Sequence, residues 1–194
     1  PISPTSAVWY GDNRHKGLGV FSFGDYRLEL LNCHEPSFKT ILPIAVSGGD
    51  MEFTLFAIWA NNPQDKGNQY VGQIWKAIHH YEHLIKPERT ILAGDFNSNS
   101  IWDKPRRIGN HTHLVQELRV KQIKSVYHHH FGQAHGNEQH PTFNLYKNID
   151  KPYNLDYCFV SEDIMLKLTG MQIGLYDAWR KHSDHLPLII DFNF

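Results

Sequence analysis

The 194-residue sequence has only two cysteines, Cys33 and Cys158. That leaves at most one disulfide, and Cys158 inside an apolar run reads as a reduced, buried thiol, although spacing alone leaves a bridge open. An excess of one charge is also missing, because 19 Lys and Arg stand against 20 Asp and Glu for a formal net charge of -1. Without a global basic field, any affinity for nucleic acid must be local. No apolar stretch approaches the roughly 18 residues of a membrane span, and no signal-peptide pattern opens the chain. The expectation is a cytoplasmic protein with no membrane partner. Internal repeats and low-complexity linkers are absent too, and 41% hydrophobic and 13% aromatic residues suffice for one core. Residues 1–194 therefore read as a single domain. The chain also lacks an initial methionine, opening Pro1-Ile2-Ser3-Pro4, and reads as a fragment or processed chain.

What is present is mainly strand. β-Branched and aromatic runs bounded by Gly, Pro, Asn and Asp recur at Leu18–Phe23, Tyr26–Leu31, Ile41–Val46, Phe53–Trp59, Thr90–Ala93, Leu155–Val160 and Leu186–Phe192. Helical spacing is clearest in Gln69–Leu84, where Val71, Ile74, Trp75 and Ile78 share a face, and weaker in His113–Val120. Many strands with few amphipathic helices predict a layered α/β sandwich over a strictly alternating fold. Ser98–His113 and Phe131–His140 read as polar surface loops.

Three segments carry chemistry. Thr90-Ile91-Leu92-Ala93-Gly94-Asp95-Phe96-Asn97 is a buried-strand pattern that delivers Asp95 and Asn97, two positions apart, past its end. Such a pair suits phosphoryl transfer, the carboxylate orienting or deprotonating a water and the carboxamide donating to an oxyanion; a plain turn closed by an Asx hydrogen bond fits equally well. In His182-Ser183-Asp184-His185-Leu186-Pro187, an adjacent Asp and His precede an apolar run, as a catalytic or metal-binding pair or as a polar cap. Asp156 interrupts the apolar strand Leu155–Val160. A carboxylate there needs a partner unless the strand is an exposed edge, and His185 is the candidate.

Taken together, Gly94–Asn97, Leu155–Ser161 and Ser183–Pro187 resemble, in order and wording, the endonuclease/exonuclease/phosphatase family of DNase I-like and abasic-site nucleases and sphingomyelinase-like phosphodiesterases. The resemblance covers the chain from about Gly17 onward. It implies a DNase I-like four-layer sandwich of two β-sheets flanked by helices. It also implies a divalent ion, magnesium or alternatively manganese, and attack of water on phosphorus. By resemblance Asp95 aligns or activates the water, Asn97 steadies the phosphate, His185 contacts it, Asp156 orients His185, and Asp184 lies near or on the metal. Asn62 matches a phosphate-binding asparagine. Trp59 replaces a tyrosine or histidine, and an indole cannot shuttle a proton.

The family's first strand and its metal-binding glutamate find no match, since Glu29 and Glu35 come too late in the chain. The resemblance therefore implies a sandwich lacking its first strands and weak metal binding, with possible homodimerisation across exposed edges such as Leu18–Phe23 or Leu186–Phe192.

Lys104, Arg106 and Arg107 follow Asn97 and suit substrate phosphates, or simply form a solvated basic loop. Seven of the fourteen histidines lie between His111 and His140. They could hold zinc, but His128–His130 read as a strand end whose side chains alternate, which disfavours a closed site. Lys16-Gly17-Leu18-Gly19-Val20 is not a nucleotide loop, because no Gly-Lys-Ser/Thr follows. The leading function is a metal-dependent phosphodiester hydrolase acting on DNA. The alternatives are a lipid or small-molecule phosphodiesterase or phosphatase, for which no apolar loop near the site speaks, and a catalytically silent phosphate-binding module.

Overall fold

The computed structural model describes residues 2–61 and 69–194, so Asn62 lies outside the described residues. In chain order the elements are β1 (Ser6–Asn13), β2 (Lys16–Ser22), β3 (Arg27–Leu30), β4 (Ile41–Ser47), β5 (Phe53–Trp59), α1 (Val71–His80), β6 (Thr90–Asp95), α2 (His111–Val120), β7 (Ile123–Ser125), α3 (Val126–Phe131), β8 (Phe143–Asn144), β9 (Pro152–Tyr153), β10 (Asp156–Ser161), α4 (Glu162–Met165), β11 (Leu168–Ile173), α5 (Tyr176–Trp179) and β12 (Leu188–Phe192). A six-stranded sheet of order β3-β4-β5-β6-β10-β7 forms the centre. Only β5 and β6 run parallel within it, joined through α1.

The central strands are apolar without interruption because both of their faces are buried. Side chains alternate between faces. Ile41, Phe56, Ile58, Leu92, Tyr157 and Phe159 pack with Ile74 and Ile78 of α1 and with Leu114 and Leu118 of α2. Their neighbours turn the other way. Leu42, Ile44 and Ala57 meet the β1–β2 hairpin through Val8, Tyr10, Leu18 and Val20. Ile91, Cys158 and Val160 meet Val126 and Met171, together with Leu188 and Ile190 of β12. Several sheets flanked by helices result, with the second layer divided into two ladders, β1–β2 and β11–β12. The segments Leu18–Phe23 and Leu186–Phe192 each pair on one side, β2 with β1 and β12 with β11, and each is an edge of a two-stranded ladder.

Three local expectations differ from the structure. Helix α2 begins at His111 because Asp103 accepts from His111 N at 2.9 Å and Thr112 N at 2.8 Å, while Asn110 accepts from His113 N at 2.9 Å. These contacts satisfy amides that a helix start leaves free. The preceding loop is not wholly superficial, since Ser98, Asn99, Asn110 and His111 are buried. His128–His130 belong to helix α3 and not to a strand end. That helix buries Val126 and Tyr127 and stops at Gly132, whose left-handed backbone donates to His128 O at 3.1 Å. Both cysteines are free, Cys33 exposed and Cys158 buried, with burial pushing the Cys158 thiol up to about 12. No helix among the described residues is long and apolar enough to cross a membrane.

Candidate functional site

Strand β6 ends at Asp95 and the antiparallel β10 begins at Asp156, and these two residues are register partners. Directly opposed residues share a face of the sheet. The turn after Asp95 depends on Gly94, at φ +135°, where a Cβ would run into the carbonyl of Ile58 on β5. Only glycine meets both conditions. Phe96 then drops into the core, and Asn97, left-handed at φ 45°, folds back over Asp95. Its backbone N donates to Asp95 Oδ1 at 2.8 Å, and its Nδ2 donates to Asp95 Oδ2 and to Ala60 O, both at 2.9 Å. The Asx turn weighed in the sequence is therefore present, and it clamps the carboxylate. The amide protons expected to reach a phosphate are engaged by Asp95 and Ala60.

His185 arrives from the other side. Its N donates to Ser183 Oγ at 3.0 Å, and it bridges Phe143, while Leu186 N donates to Thr142 O at 2.7 Å and Asn144 N to Asp184 O at 2.8 Å. His185 Nδ1 lies 2.9 Å from Asp156 Oδ2. A carboxylate only accepts, so Nδ1 carries the proton and Nε2 faces outward. One ligand atom each of Asp95, Asp156 and His185 falls within 4.8 Å of the others. Asp184 is close enough for its charge to act on both Asp95 and His185.

The electrostatics follow from this crowding. Burial, and then the charge of Asp156, push the Asp95 carboxyl up to about 7, with Asp184 adding to the rise and His185 and Asn97 opposing it. For His185, burial favours the neutral ring, but the hydrogen bond to Asp156 and the charges of Asp156, Asp95 and Asp184 outweigh it and raise its pKa.

Thr142 is a contributor that sequence reasoning missed. It is fully buried, and its Oγ1 accepts from Leu155 N at 3.0 Å and Asp156 N at 3.1 Å while its carbonyl takes Leu186 N. One residue thus fixes the backbone of both Asp156 and the His185 segment. The sequence marks it only as a threonine beside Phe143, whose ring centroid is 4.7 Å from that of His185.

The remaining expected residues are spread more widely. Arg106 is exposed, and Arg107 reaches Gln69 O at 3.5 Å; neither pairs with the Asp95 cluster. Glu29 sits opposite Ala45 in the β3–β4 ladder and Glu35 caps Ser37 N at 3.0 Å, so neither belongs to the cluster. Trp59 is the register partner of Asp95 on its other side, with Lys16 Nζ 5.9 Å from the indole centroid. Against Gly94, Asp156 and His185 opens a groove of about 450 Å³ lined by Trp179, Pro187, Leu188 and Ile190, so apolar side chains do adjoin the site.

A second group with metal-ligand spacing is His128, His135 and Glu138. Burial lowers His135 to about 3 and the neighbouring His111 to about 4. Glu138 is lowered to about 2, hydrogen bonds from His128, Gly136 N and Asn99 outweighing its burial.

No protein-family model matches the sequence, and no curated protein matches it. Solved structures do. The endonuclease domain of TRAS1, a telomere-specific non-LTR retrotransposon, is 20% identical across 96% of this chain and 77% of its own, with a TM-score of 0.62. An AP endonuclease from Archaeoglobus fulgidus is 15% identical across 97% of this chain and 79% of its own, with a TM-score of 0.67. A 3'-5' exonuclease from Neisseria meningitidis is 18% identical across 97% and 79%, with a TM-score of 0.62. At 15–20% identity the likeness is one of fold, and the chain, with helices and paired strands packed on a central mixed sheet, has the DNase I-like fold.

Proposed function

We propose that this chain is a metal-dependent hydrolase of phosphodiester bonds in nucleic acid, with DNA as the substrate class. The observation that carries this reading is the Asp156–His185 pair at 2.9 Å beside Asp95, itself gripped twice by Asn97. The similar structures are named as two endonucleases and an exonuclease, which favours nucleic acid over lipid.

The donor set fits a hard divalent cation, because three carboxylates, Asp95, Asp156 and Asp184, gather at one imidazole, and after burial Asp156 and Asp184 raise the Asp95 pKa. Asp184 is the residue that would hold magnesium or manganese, weakly given that Glu29 and Glu35 stand elsewhere. Such an ion, when bound, neutralises charge developing on the phosphoryl oxygens.

The chain's own groups divide the remaining work. Asp95, titrating at about 7, is matched to take a proton from water at neutral pH as that water attacks phosphorus. Asn97 holds the Asp95 carboxylate in one orientation. Asp156 fixes the His185 tautomer and, by raising its pKa, keeps Nε2 a donor to a non-bridging oxygen. Asn62, Arg106 and Arg107 serve the substrate's flanking phosphates.

Nicking of supercoiled plasmid tests the reading. Cleavage is expected with millimolar magnesium or manganese, is abolished by EDTA, and falls by roughly 10²-fold or more in His185→Ala. An intact plasmid alongside hydrolysis of a choline phospholipid or a small aryl diester moves the substrate class to the alternative. No hydrolysis of any of them under these conditions overturns the enzyme reading in favour of a silent phosphate-binding module.

A further inference from the structure

The histidines between His111 and His140 have no part in the reading above, yet the fold gathers several of them into one buried polar knot. Helix α3 turns His128 inward, leaving its side chain 10% exposed, against a Glu138 side chain only 4% exposed. His129 and His130 of the same helix stay in solvent. His135 stacks on His128, and one ligand atom of each of His128, His135 and Glu138 lies within 4.8 Å of the other two.

Each member of the trio is held from outside by a different neighbour. His128 gives Nδ1 to Ser125 Oγ at 2.8 Å and points Nε2 at Glu138 Oε1, 3.1 Å away. His135 Nδ1 lies 3.1 Å from His111 Nε2, and His111 Nδ1 in turn lies 3.0 Å from Ser98 Oγ. Among the described residues only His111 bonds the His135 ring. Glu138 Oε2 takes Asn99 Nδ2 at 3.2 Å and Gly136 N at 3.0 Å, which leaves Oε1 directed at His128. Hydrogen bonds that hold each ligand from outside are how proteins orient metal donors.

We propose that His128, His135 and Glu138 form a second metal site, separate from the Asp95 cluster, that binds one divalent ion of the zinc class. Two imidazoles and one carboxylate are the donors of borderline cations, whereas magnesium and calcium prefer an all-oxygen set. The rings of His128 and His135 lie nearly parallel, 19° apart with centroids separated by 3.4 Å, so loading turns one of them edge-on. His135 is the one to turn, since it lies on the loop after α3 while His128 is fixed on the helix.

The ion's task is structural. That loop is otherwise held by Tyr127, whose hydroxyl accepts from Gln139 N at 3.2 Å and His140 N at 3.1 Å and donates to Gln133 Oε1 at 2.7 Å. Two residues past His140 the chain reaches Thr142, the clip on Asp156 and Leu186. An ion bridging α3 to Glu138 therefore fastens the segment that sets the clip in place.

The test uses untagged protein stripped with a chelator and titrated with zinc, with bound metal counted by mass spectrometry. One equivalent is expected in the wild type, in His185→Ala and in the doubly substituted His129→Ala, His130→Ala. Zinc affinity should fall at least about tenfold in His135→Ala and in Glu138→Gln, as loss of one ligand implies. Cobalt in the wild type should show the visible ligand-field bands of a four- or five-coordinate site, a readout that needs no variant to fold. Zinc should raise the melting temperature of the wild type by more than that of His135→Ala. The proposal is overturned if the wild type retains no zinc. It is equally overturned if His135→Ala retains zinc with unchanged affinity, or if the equivalent disappears in His185→Ala or in the His129, His130 variant.

Discussion

Asp95 and Asp156 face each other across the β6–β10 ladder as direct register partners, and a single imidazole, His185, answers both charges from 2.9 Å off Asp156 Oδ2. Like charges placed opposite one another destabilise a sheet. The chain retains this arrangement at the end of its best-packed strands, where neighbouring Leu92 and Phe159 are buried almost completely. A stable scaffold is thereby made to hold an unstable pair, and burial first, then the opposed charge of Asp156, push the Asp95 carboxyl up to about 7.

That value has a consequence for stability in the absence of divalent ions. An ordinary aspartate loses its proton near 3.8, so between 3.8 and about 7 the folded chain keeps a proton that the unfolded chain has lost. The Asp95 contribution to stability falls as pH rises through that window, and the penalty is complete above about 7. Asp95→Asn has no such slope. Melting temperatures of the two proteins in EDTA should shift in favour of the variant between pH 5 and pH 8, a comparison in which any constant hydrogen-bonding loss cancels. Parallel curves would contradict the raised carboxyl.

Removing His185 and removing only its support should differ in kind. His185→Ala deletes the group, whereas Asp156→Asn leaves the ring in place without the charge that fixes its tautomer and raises its pKa. Hydrolysis should fall by roughly 10²-fold or more in the first and by a smaller factor in the second. Because Asp156 raises the His185 pKa, the alkaline limb of the pH–rate profile should move to lower pH in Asp156→Asn. An unmoved limb together with an unchanged rate would mean that the pair has no part in the reaction.

Gly94→Ala tests whether the turn is shaped for the site. Its φ of +135° excludes other residues, and the added Cβ meets the Ile58 carbonyl. A loss of at least about 2 kcal/mol is expected from strain of this sort, read by urea denaturation. Since the strand beside Asp95 must shift, hydrolysis should drop more than the folded fraction does.

How much of this was legible varied with the physics involved. β4, β5, β6 and β10 declared themselves because burial on both faces demands uninterrupted apolar residues, and Asp95 and Asp156 were conspicuous as the polar exceptions at their ends. β1 was not, because Gly11, Asp12 and Asn13 give its polar end a turn-like composition while a hairpin partner holds it in place. Helix α3 hid behind three consecutive histidines, of which only His128 turns inward, and its apolar contribution is Val126 and Tyr127 with a partly buried Phe131. The second histidine cluster obeys no fixed period, since His111, His128, His135 and Glu138 come from two helices and a loop that only the tertiary fold assembles. Side chains that act by accepting backbone amides, as Thr142 does, leave no pattern in a sequence.

Thr142 supplies the last expectation. Thr142→Val keeps the shape but removes the acceptor for the amides of buried Leu155 and half-buried Asp156. Leaving each without a partner costs about 1–3 kcal/mol, so a loss on the order of 2–6 kcal/mol is expected, with Thr142→Ser near the wild type. Stability alone would not distinguish a positioning residue from an ordinary core residue. Asp156 takes its place from this hydroxyl and His185 takes its own from Asp156, so the Val variant should lose kcat with little change in KM even where it is fully folded. Recovery of kcat in Thr142→Ser would tie that loss to the hydroxyl. A Val variant that is less stable yet turns over normally once folded would reduce Thr142 to packing.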